Sequence, residues 1–534
     1  VAAAGLAAAL ALVVCWGLPA GSNQIFTGML VQDGLAWFLR GLVLLGTLVV
    51  VSLTALSRTP TEEGYLEFYF LLVGAALGMC LMVSANHLVM VMIGLEMASI
   101  CSYVLAGILR RQRQAMEAAL KYAVFGAATA GIMLYGMSLL AACLGSVHLP
   151  TMARGLADRL SGLPHTEGAA AYQSVLLLGG VMFLVGLGFK LSLFPLHFWA
   201  PDVLHGAPAE VGGFLSVVSK TAALGLLARL ALVLSGSAGL AQTPALGHVV
   251  QALEPARQTL AGLLALLAAV TCTFGNLAAY GQTNMKRLMA YSTIAHAGYM
   301  IMPVAALLAS AGRDTAAAQN ALAALLFYAA AYLWMNLGVF GFTALVRDRC
   351  GREEIETYRA FGRQSPGVTV LMAIQLFSLV GLPPMAGFMA KFTVFASLWQ
   401  CGLGALLLVA VLNTVLSLFY YLRVIRVMTA VGEEGKHSEP GHPAMLSRSE
   451  RFTGESTTGG LSGEKGVEGP GMAQPSASPP GAEAESAPQA AQPELPLLSW
   501  AGLWLLVVCV PVVVLGIWWN GLFALAQAAA AASW

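Results

Sequence analysis

Six ionisable side chains stand in stretches otherwise apolar enough to lie in a bilayer. Glu96 is mid-run in VMIGLEMASICSYV, and Lys121 follows Glu117 by one turn in EAALKYAVFGAATAGIMLYG. Lys190 and His197 flank Pro195 in GFKLSLFPLHFW, Lys220 lies in GGFLSVVSKTAALGLLARL, and Lys391 follows Pro383 and Pro384 in GLPPMAGFMAKF. A charge at the bilayer centre costs ~2.5–3.5 kcal/mol on insertion scales, so five unpaired ones would cost on the order of 12–17 kcal/mol. A folded chain keeps such groups when they pair, are hydrated or do work. Burial favours the neutral amine and a carboxylate partner favours the ammonium, so moving one proton changes which form a neighbour takes. Acids and bases on separate spans can therefore form a proton relay. The plainer alternative for a single lysine is a side chain reaching out from a helix end. That fits Lys121, close to a basic loop, but not Lys220, about fourteen residues into its helix. For Glu96 the alternative is a neutral, hydrogen-bonded core carboxyl. His296, in YSTIAHAGYM, reads as a structural histidine, while His197 stays with the relay because it neighbours Lys190. Asp202, in APDVLHGAP, reads as a cap for the following backbone.

The elements that must carry these groups follow from composition. Of 534 residues, 58% are apolar and 10% charged, and the mean hydropathy is +0.77. Soluble domains carry roughly 25% charge, so the chain reads as an all-α polytopic membrane protein rather than a secreted disulfide domain, a nucleic-acid binder or a disordered chain. Thirteen runs have the ~20 apolar residues that a bilayer demands: 1–19, 34–56, 65–83, 86–108, 115–143, 173–200, 207–235, 257–279, 288–309, 317–346, 367–398, 403–428 and 497–525. The chain begins with Val in an apolar run without a basic leader, which reads as a first span or a shortened start rather than a signal sequence. The eight cysteines are far apart with no CxxC, so neither an iron–sulfur nor a zinc ligand set is written here. GxGxxG, Walker, CxxCH and HExxH motifs are also missing. No cofactor is expected in this chain.

Stretch 431–495 differs in kind. It is rich in Gly, Pro, Ser, Ala and Glu, with four basic residues (Lys436, Arg448, Arg451, Lys465) against ten Glu. Too little apolar surface is available there to offset chain entropy, so a disordered loop is expected. Arg58, Arg110, Arg111, Arg113, Lys286, Arg287, Arg347, Arg349, Arg352, Arg359, Arg363, Arg423 and Arg426 fall in one set of alternate loops; only Arg154, Arg159, Arg257 and Arg313 fall in the other. The positive-inside rule puts the first set, and with it insertion 429–496, in the cytoplasm. Two spans are interrupted, around Pro195 and around Pro383–Pro384, each with a lysine beside the break. Paired breaks in corresponding places mark an inverted repeat with ion sites at the broken helices. The expected organisation is 1–64 (N-terminal spans), 65–235 (first five-helix repeat), 236–428 (second repeat), 429–496 (polar insertion) and 497–534 (last span).

LEMASICSYVLAG, EAALKYAVFGAATAGIMLYGMSLL, VGLGFKLSLFPLHFWAPDVLHGAPAEVGGFLSVVSK, FGNLAAYGQTNMKRLMAYSTIAHAGYM and SLVGLPPMAGFMAKFTVF resemble the antiporter-like subunits of proton-translocating NADH-quinone oxidoreductase (complex I), of the subunit N type. The resemblance runs from about residue 34 to 428 and resumes in the last helix. It implies a core of fourteen helices with two inverted five-helix repeats, each containing a broken helix. It further implies that Glu96 is the carboxylate that pairs with a lysine and senses a neighbouring subunit. Lys190 would be the lysine of the first broken helix, with Lys121 its companion. Lys220 would be the central lysine, Lys391 that of the second broken helix, and His197 part of the polar axis between them. Relatives of the subunit M type carry Glu at the second broken helix, so Lys391 fits subunit N. One N-terminal helix of the fourteen is missing from this sequence, and the insertion is longer than the usual loop. The implied partners are other membrane subunits of the complex, namely an adjacent antiporter-like subunit and the small quinone-side subunits, within a cell inner membrane. NADH, flavin, iron–sulfur clusters and quinone would all sit in partner subunits. Three readings remain open beside this one: a subunit of a multi-subunit sodium/proton antiporter, a redox pump linked to ferredoxin or F420, and a scaffold whose charges are frozen in salt bridges.

Overall fold

The computed structural model describes residues 1–57, 59, 64–162, 169–236, 246–359, 361–430 and 495–534. Arg58 and the insertion with Lys436, Arg448, Arg451 and Lys465 lie outside the described residues.

The chain opens with α1 (Ala2–Trp16), a small antiparallel hairpin of β1 (Asn23–Ile25) and β2 (Leu30–Gln32) in register Asn23↔Gln32, and α2 (Gly34–Leu56). The hairpin is a minor addition to the helical reading. Five crossings follow. They are α3 (Tyr65–Ser84), α4 (Leu88–Ala106) and α5 (Arg113–Leu144), then, after the short α6 (Leu149–Gly162), a broken crossing of α7 (Ala169–Leu191) and α8 (Trp199–Gly206). The fifth is α9 (Ala209–Phe214) continued through a π turn at Leu215–Ser219 into α10 (Lys220–Leu234). After α11 (Leu246–Ala252) five more crossings run in the opposite sense. These are α12 (Glu254–Ala279), α13 (Met285–Ser310), α14 (Thr315–Cys350), then, past the one-turn α15 (Phe361–Gln364), a broken crossing of α16 (Pro366–Val380) and α17 (Ala386–Gln400), and last α18 (Gly404–Thr429). The chain closes with α19 (Trp500–Ile517) and α20 (Asn520–Ala531).

Among the described residues eleven helices are long and apolar enough to cross a bilayer, against thirteen expected. The remaining two expected spans are α1, only 15 residues long, and the second broken crossing, whose halves have 15 residues each. In both groups the break falls in the fourth of five crossings.

Local chemistry sets the helix ends. The side chains of Asp33, Asn284 and Asp314 accept from Ala36, Arg287 and Ala317 N–H and so start α2, α13 and α14. The opening pair of each group packs by the same device. A Cβ on Gly78 of α3 would lie 2.6 Å from Ala98 N, and one on Gly275 of α12 would lie 2.5 Å from Ala295 N. Small residues at these points let the backbones touch, which drives helix association where lipid offers no hydrophobic gain. The span containing α10, together with α13 and α14, is almost wholly enclosed, so the centre of the molecule is built from the helices that carry Lys220, His296 and their neighbours.

Candidate functional site

The first break places Lys190. α7 ends at Leu191, Ser192 takes a positive φ of 57°, and a cis Phe194–Pro195 bond follows. Trp199, opening α8, donates its indole N–H to Phe189 O (2.9 Å) and stacks on Tyr122 of α5 with centroids 4.4 Å apart. This aromatic packing fixes the last turn of α7 against α5. Lys190, in that last turn and 3% exposed, turns to α4 and donates to Ser99 Oγ at 3.0 Å. Glu96 is three residues earlier on α4, on the same helix face. Among the described residues its Oε1 is buried without a hydrogen-bond partner, and it lies within electrostatic reach of Lys190. His197 sits in the break itself. Its ring packs on Phe194 and Phe274 (centroids 5.5 and 4.2 Å away), its Nδ1 has no partner among the described residues, and it is within electrostatic reach of Lys220.

α13 carries the groups that meet the other two buried lysines. Lys220, 2% exposed, donates to Thr293 O at 3.3 Å. One turn along, His296 Nδ1 meets Tyr328 Oη at 2.8 Å, and its ring lies 5.0 Å from that of Tyr332. A further turn along, the ring of Tyr299 lies 4.8 Å beneath the Lys391 ammonium, within cation–π range. Lys391 itself, 3% exposed, donates to Leu379 O (3.1 Å) and Val380 O (2.7 Å). These are carbonyls freed where α16 stops, at the negative end of a half-helix, which is a natural seat for a cation. Gly381 (φ +92°) makes this seat possible, since a Cβ there would come 3.0 Å from Lys391 Cδ. The second break also holds a cis Pro383–Pro384 bond.

Lys121 stands apart from this line. It is 38% exposed and lies 2.9 Å from Glu117 and 2.8 Å from Asp202. Asp202 also faces Arg287 at 3.6 Å. The capping role expected of Asp202 is therefore replaced by ion pairing: α8 begins after Phe198 without a side-chain cap, which leaves the carboxylate free for two cations.

Sequence reasoning missed several buried polar groups. Asp33 pairs with Arg229 inside the core, where both are essentially unexposed. Lys286 meets Glu353 at 2.8 Å, and Arg347 meets the fully buried Glu210 at 3.1 Å. Tyr328, Tyr332 and Asn336 form an i, i+4, i+8 polar stripe on α14, of which the two tyrosines face His296 of α13 and Asn336 faces Ser216 of the π turn. Its spacing was visible in FYAAAYLWMN. A charge-based search passes over such neutral groups. His296, read from sequence as structural, is buried between Lys220 and Lys391 and in electrostatic reach of both.

Two broken crossings in inverted groups, each with a lysine at the interruption, define an antiporter-like membrane subunit. Residues 85–417 match the transmembrane family described as NADH:quinone oxidoreductase/Mrp antiporter, and the chain belongs to that family. Similar members include subunit N proteins of NADH-quinone oxidoreductase. The one from Anaeromyxobacter sp. is 38% identical over 77% of this chain and 77% of its own length. That from Rhodospirillum rubrum is 36% identical over 79% and 80%. Among solved structures, a chain of respiratory complex I from Thermus thermophilus superposes with TM-score 0.66 at 29% identity, covering 98% of this chain and 92% of that one. A chain of the Mrp complex from Dietzia sp. superposes with TM-score 0.74 at 18% identity, over 99% and 91%. The latter likeness shows the architecture alone.

Proposed function

We propose that this chain moves protons across the membrane through Glu96, Lys190, His197, Lys220, His296 and Lys391, driven by electron transfer from NADH to quinone in partner subunits. One observation carries the reading. Lys190, Lys220 and Lys391 are all buried, and among the described residues each binds neutral oxygens (Ser99 Oγ, Thr293 O, and Leu379 and Val380 O) rather than a carboxylate. A buried amine without a fixed counter-ion can be neutral or charged at modest cost, depending on its neighbours, which a relay needs and a frozen salt-bridge scaffold lacks. Glu96, with an unpartnered oxygen, is the group that a charge change in an adjacent subunit would address. Lys121, with Glu117 and Asp202, forms a half-exposed collecting site at the end that the basic loops assign to the cytoplasm.

In this reading the chain is the translocating part of the oxidoreductase, and the flavin, iron–sulfur clusters, NADH and quinone are bound by other subunits. Its partners are an adjacent antiporter-like subunit and the small quinone-side subunits, in the cell inner membrane, with 429–496 on the cytoplasmic side. The test replaces Glu96 by Gln or Lys220 by Ala in the assembled complex and measures protons moved per NADH oxidised. The ratio should fall sharply at unchanged subunit content. Unchanged pumping would remove these residues from the mechanism.

A further inference from the structure

Lys220 follows directly on the π turn Leu215–Ser219. A π turn holds one residue more than an α turn, so it rotates everything after it by roughly 100° relative to an uninterrupted helix. The direction in which Lys220 points is therefore set by whether this turn persists. Its register is held from outside. Ser216, inside the turn, donates to Gly213 O at 3.0 Å and accepts from Asn336 Nδ2 of α14 at 2.7 Å. Asn336 is fully buried, and among the described residues its Oδ1 has no partner, so the bond from Nδ2 to Ser216 is the contact that its amide makes there. Three turns further along α14, Arg347 binds Glu210 of α9. Between these two grips Gly212 and Gly213 admit Phe340 and Leu337, to which a Cβ would lie 2.9 and 3.1 Å away.

Building on the relay reading, we propose that Asn336 is a positioning residue for Lys220: by its hydrogen bond to Ser216 it holds the π turn, and the π turn aims the amine at the Thr293 carbonyl, one turn from His296. With the bond lost, the segment relaxes toward α geometry and Lys220 turns out of the line leading to Lys391.

The experiment compares Asn336→Leu, Ser216→Ala, the exchange Ser216→Asn with Asn336→Ser, and Lys220→Ala, each in the assembled complex in membrane vesicles. Asn336→Leu and Ser216→Ala should each lower protons moved per NADH by about fivefold, the size expected for one buried hydrogen bond, and combining them should add little. The exchange, which restores a bond across the same gap, should recover most of the loss. A role limited to gluing helices together would instead lower the amount of complex and leave the ratio unaltered. Should Asn336→Leu prevent assembly, Ser216→Ala decides alone. An unchanged ratio in Ser216→Ala, with pumping abolished by Lys220→Ala, overturns the positioning role and leaves the relay standing. Unchanged pumping in Lys220→Ala overturns the relay itself, and the positioning role with it.

Discussion

The Lys190 ammonium donates to Ser99 Oγ at 3.0 Å, and this bond joins the first broken helix to the helix of Glu96. Ser99 in turn donates to Leu95 O at 2.6 Å, so its hydroxyl is oriented with a lone pair toward the amine. Ser99→Ala leaves a buried ammonium short of an acceptor, a loss of about 1–3 kcal/mol. Proton pumping per NADH in assembled complex should fall about tenfold, the factor that corresponds to ~1.4 kcal/mol. Ser99→Thr, which keeps the hydroxyl, should retain most of it.

The seat of Lys391 depends on a left-handed residue. Gly381→Ala adds strain at φ +92° and a methyl 3.0 Å from Lys391 Cδ, so the amine must leave the Leu379 and Val380 carbonyls. Pumping should drop in Gly381→Ala while the complex still assembles. The neighbouring change Gly402→Ala, also at positive φ (+75°) but with open space around it, serves as the control for backbone strain alone and should leave pumping near the unmodified level.

Asp33 and Arg229 form an ion pair with almost no exposed surface, and Arg229 also donates to Val83 O at 3.1 Å. Removing one partner of such a pair strands a buried charge and costs about 3–5 kcal/mol. Arg229→Met should therefore lower the thermal midpoint of the purified complex by several degrees and reduce subunit yield. Arg313→Met, whose pair with Glu254 is largely exposed, should do neither, because surface pairs contribute little.

Two histidines meet at the start of α4. His87 Nδ1 accepts from Val89 N (3.2 Å), His148 meets Asn86 Nδ2 (3.1 Å) and Thr151 Oγ1 (3.2 Å), and the backbone at His87 forms an isolated antiparallel bridge with that at His148. Burial holds both imidazoles below their ordinary value of 6.5; a backbone hydrogen bond to Gly28 opposes this at His148, and the charges of His87 and Arg154 reinforce it. A depressed histidine pKa means that the folded loops prefer the neutral ring. The stability this contributes is present above pH 6.5 and is lost as pH falls through the lower folded value. Hydrogen exchange corrected for intrinsic rates should show Leu88 N–H (to Val147 O, 2.8 Å) and Leu149 N–H (to Asn86 O, 3.0 Å) losing protection between pH 7.5 and 5.5. His87→Gln combined with His148→Gln should abolish that dependence.

Much of this was legible from charge and hydropathy. Glu96, Lys190, Lys220 and Lys391 announce themselves because an ionisable group in an apolar run is costly, and the proline-marked breaks announce their own pairing. Asp202 misled because a carboxylate next to Pro201 has the local look of a cap, whereas its partners Lys121 and Arg287 come from helices far away in sequence. The setting of His296 was hidden for another reason: its helix is nearly all buried, and only the arrival of α10 and α17 on either side puts it between two lysines, while its bond to Tyr328 fits the structural reading as well. Tyr328, Tyr332 and Asn336 carry no charge, so their importance rests on what α13 and the π turn bring to them. The π turn had no signal that a propensity argument could find, since LSVVS fits an ordinary α-helix as well.

One bond inside the first break reaches into the other half of the molecule. Phe194 N–H, between Lys190 and His197, donates to Thr271 Oγ1 of α12 at 3.1 Å. The twin halves are thus tied by a mechanical strut at the place where one of them is least regular. Any reshaping of that break either drags α12 along or snaps the tie, so a change of shape in one half is felt by its inverted copy.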